Sequence, residues 1–223
     1  MVNSRTNPDA VAGLILAGGR SSRINAGRKD YVSKARLELA GEPLLAHVVR
    51  RLKPQVSSLI INSNDNPDWY QQFDVPVVAD CLPDYPGPLT GLVSGMLWLA
   101  ANKPQCELVA LVPCDGPFLP DDLVARLRAA LEERNADVAC VRFRGHLQPT
   151  FSLWRRRVFD AMQDELMTLG FGGFKELMTR LDTVAVEWPD KGEDPFFNIN
   201  TPVDLDRASE LLSLGSVVSG DLG

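Results

Sequence analysis

Gly18 and Gly19 close an apolar run, Val11 to Ala17, and open onto Arg20, Ser21, Ser22 and Arg23. A strand that ends in two glycines lets its backbone approach a ligand with no Cβ in the way. Free N–H groups flanked by arginines there suit a phosphate. Lys34 follows a long polar loop, Asn62 follows a second apolar run, Asp80 a third, and Asp115 follows the run Leu108 to Cys114. A carboxylate at a strand end suits Mg²⁺, which is held by one or two carboxylates together with phosphate oxygens. A glycine turn, basic side chains and an acid are the parts for phosphoryl or nucleotidyl transfer, where a protein contributes positioning and charge neutralisation.

The elements that must position these residues can be read from periodicity. Apolar runs at 11–17, 56–61, 75–79, 108–115 and 136–142 read as strands, with further ones at 148–154 and 183–186. Leu44, Leu45, Val48, Val49 and Leu52 repeat at helical spacing behind Pro43, and Pro54 closes that helix. Further helices are expected at 68–73, 92–101, 121–134 (capped by Asp121-Asp122), 155–166 and 172–180, and a terminal one with Thr201 as cap and Pro202 at its first position. Strands alternating with helices imply right-handed βαβ units, so the fold class is α/β, a Rossmann-like three-layer sandwich with a mostly parallel central sheet. In such sheets ligands bind at the carboxyl ends of strands. Gly18-Gly19, Asn62, Asp80 and Asp115 are therefore expected on one edge. His47 reads as a surface or capping residue of its helix, and the four tryptophans show no cluster in the sequence.

The totals exclude several classes. At 223 residues the chain can bury a sizeable core, and 45% apolar with 23% charged residues is ordinary for a globular protein. No apolar run reaches the roughly 20 residues of a membrane span. The polar start, MVNSRTNPDA, lacks a signal-peptide core and reads as a flexible tail over 1–10, followed by one domain over 11–214 with a loose end. Four scattered cysteines without a C-x-x-C pair read as buried thiols in a reducing compartment, which points to the cytoplasm. A formal charge of −6 argues against a nucleic-acid partner, while a local basic cluster still leaves room for a small anion. The sequence has no Walker pattern, no G-x-G-x-x-G after the first strand, and only two histidines for a hydrolytic triad.

LAGGRSSRI (16–24), Lys34 before an L-x-L stretch, GEPL (41–44), YPGPLTG (85–91), CDGPFLP (114–120) and NINTPVDL (198–205) occur in this order along the chain. The pattern resembles the molybdenum cofactor guanylyltransferases, of the nucleotide-diphospho-sugar transferase fold type. The resemblance implies GTP and a molybdopterin-type acceptor as substrates, Mg²⁺ as cofactor, and no membrane. It also allows for a transient contact with cofactor-insertion proteins. By position it implies Leu16, Ala17, Gly18, Gly19, Lys34, Asn62, Asp80 and Asp115 as nucleotide contacts. Arg23, Lys34 and Asp115 would be catalytic, Asp115 the metal ligand, and Asn198 and Asn200 acceptor contacts in the second half of the domain. Ser33 stands where an acid normally precedes the lysine, and the loop before it is longer than usual, so Lys29-Asp30 is a rival placement for Lys34. A cytidylyltransferase or other nucleotidyltransferase acting on a phosphorylated small molecule, and a non-catalytic nucleotide carrier, are the competing readings.

Overall fold

A computed structural model describes residues 10–18, 24, 31–82, 87–159 and 173–218, with side chains to 213. Its centre is β1 (Val11–Leu16), a run of six buried residues flanked by parallel neighbours on both sides, β4 (Ser58–Asn62) and β6 (Leu108–Pro113). A strand buried on both faces has no polar alternation, which is why VAGLIL and LVALVP read as continuous apolar runs. Successive side chains still alternate between faces. Val11 and Ile15 enter one core with α1 (Leu44–Leu52) and α3 (Leu123–Glu133), while Ala12, Leu14 and Leu16 enter the other with α2 (Pro88–Asn102). The result is three layers.

The seven-stranded sheet runs β5-β4-β1-β6-β8-β7-β9, where β5 is Val77–Val78, β7 Val138–Phe143, β8 His146–Arg155 and β9 Thr183–Glu187. From β1 the chain steps outward to β4 and β5, then returns through α2 to lay β6 on the opposite side of β1. That reversal is a topological switch point, and it opens a crevice at the carboxyl ends of β1, β4 and β6. Four of the six neighbour pairings are parallel. β8 runs antiparallel to both β6 and β7, because a two-residue turn with positive φ at Arg144 (49°) and Gly145 (76°) folds β7 straight back.

A two-stranded hairpin, β2 (Glu38–Leu39) with β3 (Glu42–Pro43), turns at Ala40-Gly41 and leads into α1. Leu44, Leu45, Val48, Val49 and Leu52 bury one stripe of α1. Each such side chain contributes on the order of 2 kcal/mol on burial. His47 is not the surface or capping residue its position suggests. Its ring is only 11% exposed, and Nε2 lies 2.9 Å from the Leu39 carbonyl, tying helix to hairpin. The short helix α4 (Phe174–Thr179) packs beside Trp154 in the α2-side core. The last helix, α5 (Pro202–Val218), passes the point where a loose end is expected. Leu205 and Ala208 of this helix, with Ile199 just before it, join Leu37, Leu39 and Leu44 in a third apolar cluster, which fixes the chain at 198–200 beside the hairpin.

Asp122 sits at the N-cap position of α3 without a side-chain cap bond, and Asp121 instead approaches Arg51 at 3.4 Å. The strands expected at 56–61 and 75–79 begin two residues later than their apolar runs, and β5 is only two residues long. Cys106, Cys114 and Cys140 are buried as expected, whereas Cys81 is exposed. Among the described residues no helix is long and apolar enough to cross a membrane.

Candidate active site

β1 pairs Leu16 with Asn62 of β4 on one side and with Pro113 of β6 on the other. Beyond the last pair the ladder continues by single bonds. Ala17 N donates to the Asn62 carbonyl (2.8 Å), and Cys114 N donates to the Leu16 carbonyl (2.9 Å). Gly18 and Asp115, each two residues past a paired position, therefore lie side by side on one rim. Leu16, Ala17, Gly18, Asn62 and Asp115 are brought together as the strand-end rule demands.

Asp80 joins them through side chains. Asn62, 3% exposed, donates its amide hydrogens to the Val78 carbonyl (3.1 Å) and to Asp80 Oδ1 (2.9 Å). Asn64 completes a reciprocal pair, donating from Nδ2 to Asp80 Oδ2 (2.7 Å) and accepting from Asp80 N at 2.8 Å. Both carboxylate oxygens are thereby fixed. The Oδ1 of Asn62 faces Gly18 and Gly91, and a Cβ on Gly91 would collide with it and lie 2.7 Å from Leu16 Cδ2. Gly91 is thus a close-approach glycine, admitting the Asn62 amide against the first turns of α2.

On the other side of Gly18 stands the charged pair. Lys34, at the head of a 3₁₀ turn over Lys34–Arg36, donates from Nζ to Asp115 Oδ2 at 2.7 Å and to Asn200 Oδ1 at 2.6 Å. The two charged side chains are 17% and 14% exposed, sheltered yet open to the crevice. Asn200 reaches them because Ile199 N donates to the Asp115 carbonyl (2.9 Å), which lays the 198–200 segment along the end of β6. Asn198 Oδ1 is buried with no hydrogen-bond partner among the described residues, 3.3 Å from where a Cβ on Gly116 would stand. Cys114, next to Asp115, is held protonated by burial, with the neighbouring carboxylate pushing the same way. It is no nucleophile. Arg23, Gly19, Lys29 and Asp30 lie outside the described residues.

Two contributors escape a reading by strand ends. Asn64 sits two residues past β4, and its only signal is the Asn-rich run after that strand. Asp204 accepts from Asn200 N (3.0 Å) and Thr201 N (2.8 Å). Partial burial alone would raise its carboxyl, but those bonds, the Thr201 hydroxyl and the charge on Lys34 outweigh this and hold it below the ordinary carboxylate value. Its signal is the T-x-x-D spacing of a capping box.

Mg²⁺ prefers oxygen donors and keeps much of its coordination for water and phosphate rather than an all-protein cage. Among the described residues no cluster of three or more metal-ligating side chains exists. A single sheltered carboxylate at the rim, Asp115, is the donor set that suits a magnesium ion carried in with a polyphosphate.

An α/β sheet that sets a glycine strand end, a lysine and an acid around its switch point is the architecture of a nucleotidyltransferase. The chain belongs to one branch of that class, for the MobA-like NTP transferase domain matches its residues 13–184. It is 37% identical over 214 residues to the molybdenum cofactor guanylyltransferase of Bradyrhizobium sp. (strain ORS 278), covering 96% of this chain and 98% of that one. It is 43% identical over 202 residues to the molybdenum cofactor guanylyltransferase of Burkholderia cenocepacia (strain HI2424), covering 86% and 92%. Among solved structures, the molybdopterin-guanine dinucleotide biosynthesis protein A of Archaeoglobus fulgidus superposes with a TM-score of 0.71 at 20% identity, over 91% of this chain and 99% of that one, and so shares the fold.

Proposed function

We infer that this protein transfers GMP from GTP to the terminal phosphate of a molybdopterin cofactor, forming molybdopterin guanine dinucleotide and pyrophosphate. The observation that carries the reading is the Lys34–Asp115–Asn200 contact beside Gly18, in a chain whose relatives at 37–43% identity are named for this reaction. An oxygen of the acceptor phosphate attacks the α-phosphorus of GTP, the bond to the β-phosphate oxygen breaks, and pyrophosphate departs with that electron pair. No covalent enzyme intermediate is required, in keeping with the buried, protonated Cys114.

Leu16, Ala17 and Gly18 present backbone to the nucleotide, and Asp80, fixed by Asn62 and Asn64, offers acceptors to the guanosine side. Lys34 and Arg23 neutralise charge on the triphosphate, and Gly19 sits beside it with only backbone to offer. Asp115 would hold Mg²⁺, which would supply positive charge to the reacting phosphates. Asn198 and Asn200 face the acceptor, and the partnerless Asn198 Oδ1 is suited to take a donor from it. Buried free thiols suit a reducing compartment, the cytoplasm, where the protein works as one domain whose first half holds the nucleotide and whose second half holds the acceptor. No nucleic acid or membrane takes part, and contact with cofactor-insertion proteins is transient.

Pyrophosphate release with molybdopterin as acceptor tests this. GTP with Mg²⁺ supports it, CTP does not, and Asp115→Ala lowers the rate by about 10²-fold or more, the usual consequence of losing a catalytic electrostatic element. Saturation by CTP with indifference to GTP would refute the guanylyl assignment, and no release with either nucleotide would favour a carrier.

A further inference from the structure

We propose that Asp204 is a positioning residue for nucleotidyl transfer, holding the 198–200 segment so that Asn200 meets Lys34 and Asp115; this rests on the reading of the site given above. In a capping box the acid three residues into a helix accepts the N–H of the N-cap residue, and the N-cap hydroxyl accepts in return. Asp204 does both, taking Thr201 N at 2.8 Å while its own N–H donates to Thr201 Oγ1 at 3.2 Å. That is all a cap needs. The same oxygen, Oδ2, also takes Asn200 N at 3.0 Å, from the residue before the cap.

Asn200 is the residue whose side chain enters the site. Its Oδ1 accepts from Lys34 Nζ, and its Nδ2 donates back to the Asn198 carbonyl at 3.2 Å. The segment is thus tied at two points, by Ile199 N on the Asp115 carbonyl and by Asn200 N on the Asp204 carboxylate. Release of the second tie leaves the backbone of the segment held by the Ile199 bond and the burial of Ile199 alone, and a displacement of about 1 Å at a positioning group can lower a rate by about 10²-fold.

The test compares Asp204→Ala, Asp204→Asn, Asn200→Ala and the Asp204→Ala/Asn200→Ala double variant. Asp204→Ala is expected to lower kcat/KM for GTP by about 10-fold or more, measured well below its melting temperature. Asp204→Asn, which keeps an oxygen acceptor at the same reach, recovers part of the loss and serves if the alanine variant does not fold. In the double variant the losses do not multiply, because both act through one side chain. A backbone amide-exchange map supplies a readout without activity: Asp204→Ala loses protection at Ile199 and Asn200, and Asp204→Asn loses only part of it. The proposal is overturned if Asp204→Ala keeps kcat/KM within twofold while melting earlier, if the losses multiply, or if protection is lost only at 203–206 within the helix. If the wild-type protein moves no GMP, the reading of the function fails, and the exchange map still decides whether Asp204 holds the segment.

Discussion

Adding one methyl group to α2 at either of two glycines separates the nucleotide site from the core beneath it. A Cβ on Gly91 would lie 2.7 Å from Leu16 Cδ2 and 3.0 Å from Asn62 Cγ, with the amide oxygen nearer still. The Asn62 amide oxygen is the atom nearest to that Cβ, so Asn62 must yield first. Its amide then leaves the Val78 carbonyl and Asp80. Two hydrogen bonds at about 1 kcal/mol each, offset by about 1 kcal/mol of helix propensity from replacing glycine with alanine, leave a loss of about 1 kcal/mol. For a chain of this size that is a fall of roughly 2–4 °C in Tm. A Cβ on Gly95, one turn further along, would meet Leu14 at 2.5 and 2.8 Å, a fully buried side chain with no link to the site. Overpacking there costs about 1–3 kcal/mol before the same propensity gain, so Gly95→Ala melts earlier by a similar amount.

The two variants part on GTP. With Asp80 freed from Asn62, Gly91→Ala binds GTP about tenfold more weakly, roughly one charge-assisted hydrogen bond. Gly95→Ala binds GTP like the wild type. Calorimetry of GTP with Mg²⁺ beside thermal melts reads both quantities. If Gly91→Ala loses stability but binds GTP as tightly as Gly95→Ala does, the Asn62–Asp80 pair has no part in holding the nucleotide.

Two other perturbations have clear directions. Lys34→Ala is expected to reduce pyrophosphate release by about 10²-fold, as loss of a charge at the reacting phosphates does, while Lys29→Ala leaves it within a few-fold; steady-state assays with GTP check this, and a defect confined to Lys29→Ala would reverse the assignment. Arg144 binds Asp190 through two bonds of 2.8 and 2.9 Å, and the first of the effects holding that carboxyl at about 2 is the hydrogen bond from Arg144. An unfolded aspartate titrates near about 3.9, so the pair contributes stability above that value and loses it as pH falls toward about 2. The Tm difference between wild type and Arg144→Gln should therefore be constant at neutral pH and narrow steadily below about pH 4; a gap that holds or widens on acidification would refute the linkage.

The strand-end rim of the candidate site was legible because a parallel sheet turns sequence order into geometry. Apolar runs mark strands, strands of one direction end on one edge, and whatever follows each run must gather there. Gly18, Asn62 and Asp115 follow that logic, and the register of Leu16 with Asn62 and Pro113 carries it out. Details set by side-chain packing were not legible. Asp121-Asp122 has the composition of a cap, yet Asp121 leans toward Arg51. His47 looks peripheral on its helix, but the Leu39 carbonyl on the hairpin claims its ring. Trp188 gathers with Phe196, Phe143 and Phe151 across more than 50 residues of sequence, a cluster no local window contains.

The 198–200 segment marks where the strand-end rule stops. It belongs to no strand of the sheet, and it reaches the rim by one backbone bond to Asp115 and by the burial of Ile199 among Leu37, Leu39 and Leu44. Its motif, N-I-N-T-P-V-D, divides roles: Asn200 reaches Lys34, Asn198 lays its buried Oδ1 toward Gly116, Ile199 turns to the core, and Thr201 and Asp204 cap the helix that follows. Read one residue at a time, the asparagines look like ordinary turn formers and the acid like an ordinary cap. Read together, they form a segment with Ile199 buried and Asn200 at the site, ended by a helix whose first turn fixes the angle of the last asparagine. The helix cap and the site residue share the Asp204 carboxylate, so a change made to stabilise α5 at its first turn is also a change to the setting of Lys34.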